Sequence, residues 1–457
     1  MMSHQCGHER IGTITEFVRE TLDASACNRR DAGVAAQRER NRGSAYAGTI
    51  CDVLKADGIV HSTSLVTNGS SQRKPPGNVS PVSLLSSQPT RGAIAGAENL
   101  QTSGGATPVA ETFPPLPEVI GDEPELDDWL TRPRPALVDF IQSASSPLMI
   151  LGAGGKMGPT LAVLAKRAAA LAGKHLDVIA VSRFPDESSK RWLESCGVLT
   201  LRADLLERDA VRKLPNAADV IYLVGLKFGT GENPALTWAA NTLAPTHVAE
   251  RFAQSRLVAL STGNVYPLVP VMSGGAREDH ALTPLGEYPN AAVARERIFE
   301  YFAHKHGTRI ALVRLNYAVD LRYGVLTDIA RKVHAGEPVD VTSGYFNCIW
   351  QGDANDMILR TLELATHPSA AFNLTGPNVV SVRQVATRFS ELFGRPAHLV
   401  GAEADTALLN NAAALCRILG PPPTALDTMI RWTAHWVRNG GRTLDRPTHF
   451  EVRDGKY

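Results

Sequence analysis

The feature that most constrains the fold of this chain is a glycine-rich turn between an apolar run and a helix-like segment. The run Leu148–Leu151 precedes the sequence GAGGKMG (152–158), and a helix-like stretch follows over 160–172. The turn has the spacing G-x-x-G-x-x-G. In such turns the glycines permit a tight bend, a close approach of the backbone to a diphosphate and close helix packing. The anion then lies at the helix N-terminus. Strand, turn and helix in this order predict a dinucleotide-binding unit.

Further apolar runs alternate with helical stretches after this turn. Such alternation indicates an α/β fold with a parallel sheet that is covered on both faces. We therefore predict a Rossmann-type, doubly wound sheet with its ligand at the carboxyl ends of the strands. A smaller C-terminal α/β lobe is expected to hold the substrate. The predicted later strands are 176–181, 198–202, 220–224, 256–260 and 310–315.

Composition divides the chain into unlike parts. Of the 55 residues from 61 to 115, 34 are Ser, Thr, Asn, Gln, Gly or Pro. Such a segment buries too little apolar surface to offset its ordering entropy. The predicted parts are a disordered or linker-like extension (1–115), a lead-in helical segment interrupted around Pro133 and Pro135 (116–146), an NAD(P)-binding Rossmann domain (147–315), and mainly a substrate-binding lobe with the C-terminal segment (316–457).

Charge and residue spacing exclude several classes of partner. The chain has 47 Lys and Arg against 46 Asp and Glu, so charge gives no reason to expect nucleic acid as a partner. No apolar run reaches the roughly 18 residues that span a bilayer. The histidines and cysteines show no metal-ligand spacing, so we predict no metal site and no disulfide framework. We expect a cytoplasmic protein.

The residues after the second predicted strand bear on the choice of cofactor. An acidic side chain at this position binds the ribose 2′-hydroxyl of NAD, whereas arginine suits the 2′-phosphate of NADP. The chain has Ser182 and Arg183 there. The alternative is that Arg183 is a solvated loop charge. We therefore predict an NAD(P) cofactor, with a lean towards NADP.

Seven segments in order resemble the extended short-chain dehydrogenase/reductase family, the NAD(P)-dependent sugar epimerases and dehydratases. The resemblance covers about residues 147–400. Its landmarks are GAGGKMG (152–158), Asp204-Leu205, Asn241, LSTGNVYP (260–267), NYAVDLRYG (316–324), IWQGDAND (349–356) and AFNLTGPNVVSVRQVA (371–386).

The resemblance and the strand ends together give a set of cofactor-binding residues. They come from the glycine turn, from the ends of the second, third and fourth strands, and from one helix. The predicted residues are Gly152, Gly155, Lys156, Met157, Gly158, Ser182, Arg183, Asp204, Leu205, Val224, Gly225 and Asn241.

The resemblance also implies a set of catalytic groups. In the family a Ser or Thr polarises the substrate oxygen, and a Tyr moves its proton with help from a Lys four residues later. Thr262 and Tyr288 fit the first two positions, but the fourth residue after Tyr288 is Ala292. A free tyrosine has a pKa of about 10 and needs a nearby cation to act as a base. Arg295 lies on the same helix face as Tyr288 and is the predicted substitute. The alternative is that it pairs with acids of its own helix or with solvent.

We therefore expect an NAD(P)-dependent oxidoreductase or epimerase that acts on a sugar, a nucleotide sugar or a sugar acid. The alternative is a non-catalytic NADP(H)-binding regulator of the same fold. Arg314, Arg322 and Tyr323 follow a strand and are candidates for gripping an anionic sugar, with scaffold salt bridges as the alternative. The family suggests a homodimer.

Overall fold

The computed structural model describes residues 113–227, 229 and 232–456, and the predictions for residues 1–112 lie outside these. The α-helices are α1 (Glu123–Leu130), α2 (Pro135–Ile141), α3 (Gly158–Leu171), α4 (Glu187–Ser195), α5 (Arg208–Arg212), α6 (Pro234–Arg251), α7 (Glu287–His306), α8 (Val325–Ala335), α9 (Gln351–Arg360), α10 (Val382–Phe393), α11 (Ala413–Leu419) and α12 (Leu426–Arg438). The strands are β1 (Leu148–Leu151), β2 (Val178–Ser182), β3 (Leu199–Arg202), β4 (Asp219–Tyr222), β5 (Arg256–Thr262), β6 (Val269–Pro270), β7 (Arg309–Leu315), β8 (Ala318–Val319), β9 (Pro338–Asp340), β10 (Tyr345–Phe346), β11 (Ile349–Trp350), β12 (Ala370–Leu374), β13 (Val380–Ser381), β14 (His398–Val400) and β15 (Thr406–Ala407).

The main sheet has seven parallel strands in the order β12-β7-β5-β4-β1-β2-β3. The predicted doubly wound parallel sheet is therefore confirmed. The strand order reverses at β1, where Leu151 lies opposite Val181 on one side and Tyr222 on the other. A ligand of such a sheet binds in the crevice at this switch point, outside the carboxyl ends of the strands.

Alternate residues of β1 face different cores. Leu148 and Ile150 belong to the cluster that includes Leu161 of α3. Met149 and Leu151 belong to the cluster on the opposite face, which includes Phe299 of α7. Successive strand residues point to opposite faces, so an apolar run without alternation is what a doubly covered strand requires. None of the described helices is long and apolar enough to span a bilayer.

Segments from beyond residue 315 complete the main sheet and pack against one of its helices. Strand β12 pairs with β7 at the edge of the sheet. The side chains of Gln351 and Asn355 on α9 donate hydrogen bonds of 3.1 and 2.9 Å to the hydroxyl of Thr160 on α3. A separate apolar cluster that includes Ile329 and Trp432 joins α8, α10 and α12. The later half of the chain thus forms its own core and also supports the sheet.

The lead-in segment forms two short helices. Helix α1 ends at Leu130 and α2 begins at Pro135, a residue that is favourable in a first helical turn. Between them, Arg134 forms a 2.9 Å salt bridge with the buried Asp353 of α9. The interruption predicted at the prolines is observed, and this contact anchors the segment to the rest of the fold.

Candidate active site

The glycine turn after β1 is shaped for a close approach of backbone to ligand. Gly152 has a φ of +86°, and a Cβ there would lie 2.7 Å from Cγ2 of Val224. A Cβ on Gly158 would lie 2.5 Å from Cα of Ala153. Side chains at either position would collide with the backbone or with the loop after β4. The N-terminus of the 14-residue helix α3 opens onto this turn. Turn and helix together fit the diphosphate of a dinucleotide.

The predicted adenosine end brings three site residues together. A Cβ on Gly154 would lie 2.6 Å from Oγ of Ser182, so the turn lies directly against the end of β2. Nη1 of Arg183 lies 3.8 Å from Oδ2 of Asp204, and the Arg183 side chain is 72% exposed. Leu205 is buried beside this pair. The pocket edge therefore carries both a cation and a carboxylate, which are the groups that favour a 2′-phosphate and a 2′-hydroxyl respectively.

Arg295 supports the wall behind the glycine turn, which is formed by Val224, Gly225 and Asn241. It is 3% exposed, and its Nη1 donates to the Val224 carbonyl at 2.9 Å and to Oδ1 of Asn241 at 3.1 Å. Nδ2 of Asn241 donates to the Thr237 carbonyl at 2.8 Å. The guanidinium therefore connects α7 with α6 and with the loop at Gly225. Within the described part of the chain, its hydrogen bonds run to this wall and not to Tyr288.

The predicted Thr and Tyr lie at the end of β5 and the start of α7. Thr262 is buried, and its hydroxyl donates to Oδ1 of Asn264 at 3.0 Å. Tyr288 is 7% exposed and lies in the first turn of α7. Gly307 ends this helix with a φ of +71°. Both side chains are fixed by regular elements, as a catalytic group requires.

The position of the missing lysine lies in an apolar cluster. Ala292 is 0% exposed and packs in a cluster with Val265, Tyr266, Val269 and Leu409. An ammonium group there would lose its water without gaining a partner of opposite charge. A lysine at position 292 would therefore be costly in this chain.

Two other lysines supply positive charge near the tyrosines. Nζ of Lys156 donates to the Ala318 carbonyl at 2.6 Å and lies 4.5 Å from the centre of the Tyr323 ring. Burial lowers the pKa of Lys156 to about 8. Burial and then the charge of Lys156 lower the pKa of Lys227 to about 8. Burial, followed by the charges of Asp328 and Tyr288, raises the pKa of Tyr323. Lys156 and Tyr323 are thus in contact beside the glycine turn.

The arginines considered as anion ligands form scaffold salt bridges. Arg314 pairs with Glu296 at 2.7 Å, and both side chains are almost fully buried. Oγ of Ser261 donates a short hydrogen bond to the same carboxylate. Arg322 pairs with Asp127 at 2.9 Å. Both arginines therefore form scaffold salt bridges, which was the alternative to binding an anionic sugar.

The structure brings the side chain of Lys156 to a place that the sequence does not indicate. Its backbone lies in the predicted turn, with Met157 buried at the start of α3. Its side chain extends to the carbonyl of Ala318 on β8, which lies 162 residues away in the sequence. Local patterns give no signal for such a distant partner.

Comparisons with known proteins agree with this fold. Residues 148–369 match the family described as "NAD dependent epimerase/dehydratase family". No curated protein sequence matches the chain. Among solved structures, MoeE5 in complex with UDP-glucose and NAD is 21% identical over 65% of this chain and 99% of its own, with a TM-score of 0.52. A putative epimerase from Burkholderia cenocepacia J2315 is 18% identical over 65% of this chain and 99% of its own, with a TM-score of 0.54.

A third similar structure is UDP-glucuronic acid 4-epimerase from Bacillus cereus in complex with NAD. It is 15% identical over 64% of this chain and 99% of its own, with a TM-score of 0.55. At these identities the structures show the fold alone. The sequence match over residues 148–369 is to the family of NAD-dependent epimerases and dehydratases.

Proposed function

We propose that the protein is an NAD(P)-dependent oxidoreductase or epimerase that acts on a nucleotide sugar or a related sugar acid. The observation that carries this proposal is the glycine turn at the switch point of the sheet, where Gly152 and Gly158 leave no room for a Cβ against Val224 and Ala153, so that strand, turn and helix pack closely together. The complexes of similar structures with NAD and with UDP-sugars support the same class of ligands.

The reaction that this site supports starts from a substrate carbinol. A bound nicotinamide supplies a hydride acceptor and donor. The phenolate of Tyr288 would take the hydroxyl proton while the carbinol C–H bond breaks and its hydride passes to the nicotinamide, so that a ketone results. Thr262, whose hydroxyl bonds to Asn264 at the end of β5, would hydrogen-bond the reacting oxygen. Return of the hydride to the other face of the ketone would give the epimer, with the proton returned by Tyr288.

We assign the cofactor wall to the predicted residues and Arg295 to its support. Val224, Gly225 and Asn241 form this wall, and Arg295 holds the first and third of them together. In this role Arg295 positions the cofactor pocket through its hydrogen bonds. Because it contacts no reacting atom in this arrangement, its removal is expected to weaken cofactor binding as well as turnover.

Tyr288→Phe tests the assignment of the proton-transfer group. We expect turnover to fall by about 10²–10⁴-fold with nearly unchanged cofactor affinity, because only the proton carrier is lost. Tyr301→Phe is the matched control, since Tyr301 lies on the same helix and is exposed. Steady-state rates with UDP-glucose and UDP-glucuronic acid and a fluorescence titration with NADH provide the measurements. Turnover that stays within about twofold would refute the residue assignment.

A non-catalytic NADP(H)-binding regulator is the second candidate. The packing of Ala292 in an apolar cluster favours it, because the usual lysine is excluded from the site. If the protein is such a regulator, the wild type binds the dinucleotide but converts no sugar substrate. Tyr288→Phe then causes no measurable change in activity.

We also propose that NADP is preferred over NAD through Arg183. Arg183→Ala is then expected to weaken NADPH binding by about 1.5–3 kcal/mol, the free energy of a hydrogen bond to a charged group, while NADH binding barely changes. The neighbouring Asp204 carboxylate opposes this preference. Equal losses for both cofactors would contradict the proposal. The cytoplasmic location and the homodimer remain predictions.

A further inference from the structure

The last described residues of the chain leave the C-terminal lobe and return to the edge of the sheet where a ligand binds. Helix α12 ends at Arg438, and residues 443–456, here called the C-terminal strap, contain no helix or strand. The strap contacts the loop after β4 and the N-terminal ends of α7 and α8. Each of these segments follows the carboxyl end of a main-sheet strand in the chain, and the ligand of a doubly wound sheet lies at that edge. The strap therefore passes beside the candidate active site.

The middle of the strap joins the loop after β4 to the C-terminal lobe. The backbone N–H and the hydroxyl of Thr448 donate to Oδ2 of Asp328, in the first turn of α8, at 2.9 and 2.6 Å. The carbonyl of the same threonine accepts a hydrogen bond of 3.3 Å from Nζ of Lys227, which follows β4. One strap residue thus connects two segments that approach the site from different halves of the fold.

The end of the strap packs directly on the backbone at the N-terminus of α7. Gly286 and Gly455 have φ values of +94° and +77°, and a Cβ on either would collide with backbone of the opposite segment. Gly286 lies two residues before Tyr288, whose side chain is almost fully buried, as is that of Thr262. The strap thus covers the chain beside the group that a substrate must reach in the proposed reaction.

The strap is held mainly by polar contacts near the surface. Arg453 donates hydrogen bonds of 2.8 and 2.7 Å to Thr406 on β15, and Lys332 forms a 2.6 Å salt bridge with the partly exposed Glu451. Within residues 443–456, the buried apolar side chain is that of Phe450. Exposed ion pairs add little stability, and segments with few buried apolar contacts open locally while the rest of a fold stays intact. The strap therefore has the properties of a segment that can be released.

We propose that the C-terminal strap is a gate of the active site, which is closed beside Tyr288 in this structure and opens to let ligands enter and leave. The inference rests on the proposed function in one respect, since that function makes Tyr288 the proton carrier. Closure of such a segment keeps water from the reacting atoms, and its opening sets the rate of ligand exchange. The hydrogen bonds of Thr448 to Asp328 and from Lys227 restore the closed arrangement.

Thiol labelling at position 288 measures access to the site without any need for turnover. Tyr288→Cys places a thiol there in the full-length chain, and mass spectrometry of its peptide follows alkylation by iodoacetamide. Gly455→Ala is added to displace the strap, because the new Cβ collides with the Leu285 carbonyl. Gly440→Ala is the matched control, since its φ of +68° is similarly strained but the new Cβ meets no atom within 4 Å. We expect labelling to be at least about tenfold faster with Gly455→Ala and unchanged with Gly440→Ala, because the rate follows the open fraction.

A second strap variant and two further thiols separate release of the strap from general loosening. Phe450→Ala removes the buried apolar anchor of the strap and should also accelerate labelling at position 288. Tyr301→Cys places a thiol at an exposed position of the same helix, which should be labelled at one rate with or without the strap substitutions. The native Cys348 is buried and should stay slow to react in every variant.

Two results would overturn the gate. One is labelling at position 288 that stays within about twofold of its original rate in both strap variants, since the open fraction would then be unchanged. The other is equal acceleration at Cys348, because it would show that the fold as a whole has loosened. Accelerated labelling at position 288 alone supports the gate even if the wild type converts no sugar, and in that case only the proposed enzymatic function is rejected.

Discussion

At the scale of single residues, the surroundings of position 292 disfavour a charged side chain. Ala292 is fully buried among Val265, Tyr266 and Leu409. An ammonium group at this position would lose its water without gaining a partner of opposite charge.

The packing at Ala292 gives a prediction about stability. Ala292→Lys should lower the free energy of unfolding by about 3 kcal/mol or more, because it adds both volume and an unpaired charge to the cluster. Ala292→Met adds similar volume without charge and should cost about 1–3 kcal/mol. Urea unfolding of the two variants measures the difference. A lysine variant as stable as the methionine variant would show that the ammonium group reaches water or an acid.

At the scale of elements, a buried ion pair fixes α7 against β7. Arg314 on β7 donates to Glu296 on α7 and to the hydroxyl of Tyr266 at 2.7 Å. Ser261 of β5 also donates to Glu296. The helix that carries Tyr288 is thus positioned by charges as well as by apolar contacts, and loss of one partner would leave the other charge buried alone.

This arrangement predicts a structural role for Arg314. Arg314→Met should lower the free energy of unfolding by about 3–5 kcal/mol, because the Glu296 carboxylate stays buried without its partner. The double variant with Glu296→Gln should recover much of this loss. Urea unfolding measures stability, and titrations with UDP-glucose and UDP-glucuronic acid measure sugar binding at a temperature where both variants are folded. A selective loss of acid binding with unchanged stability would instead identify Arg314 as an anion ligand.

At the scale of the whole molecule, the sequence was sufficient to predict the parallel sheet and the glycine turn. Apolar runs and glycine spacing are local signals, so they indicate strands and turns without knowledge of distant residues. The partners of the long side chains were not predictable, because they come from distant segments. Arg322 pairs with Asp127, which lies 195 residues away, and Lys156 reaches Ala318, which lies 162 residues away. Side-chain direction in such cases depends on tertiary packing that local patterns do not contain.

Dinucleotide binding at the glycine turn is the central claim about this protein, and Gly155→Val tests that binding directly. Gly155 is exposed, and a Cβ there would lie 3.4 Å from the Gly152 carbonyl, so the added side chain fills the approach to the turn with little disturbance of the fold. Gly121→Val is the control, since its Cβ would lie 3.6 Å from Glu125. Calorimetric titration should show one NADH or NADPH bound per wild-type chain. The Gly155→Val variant should bind at least about tenfold more weakly, a loss of about 1.4 kcal/mol in binding free energy, whereas Gly121→Val should bind like the wild type. No binding to the wild type, or equal binding by the Gly155 variant, would contradict the account.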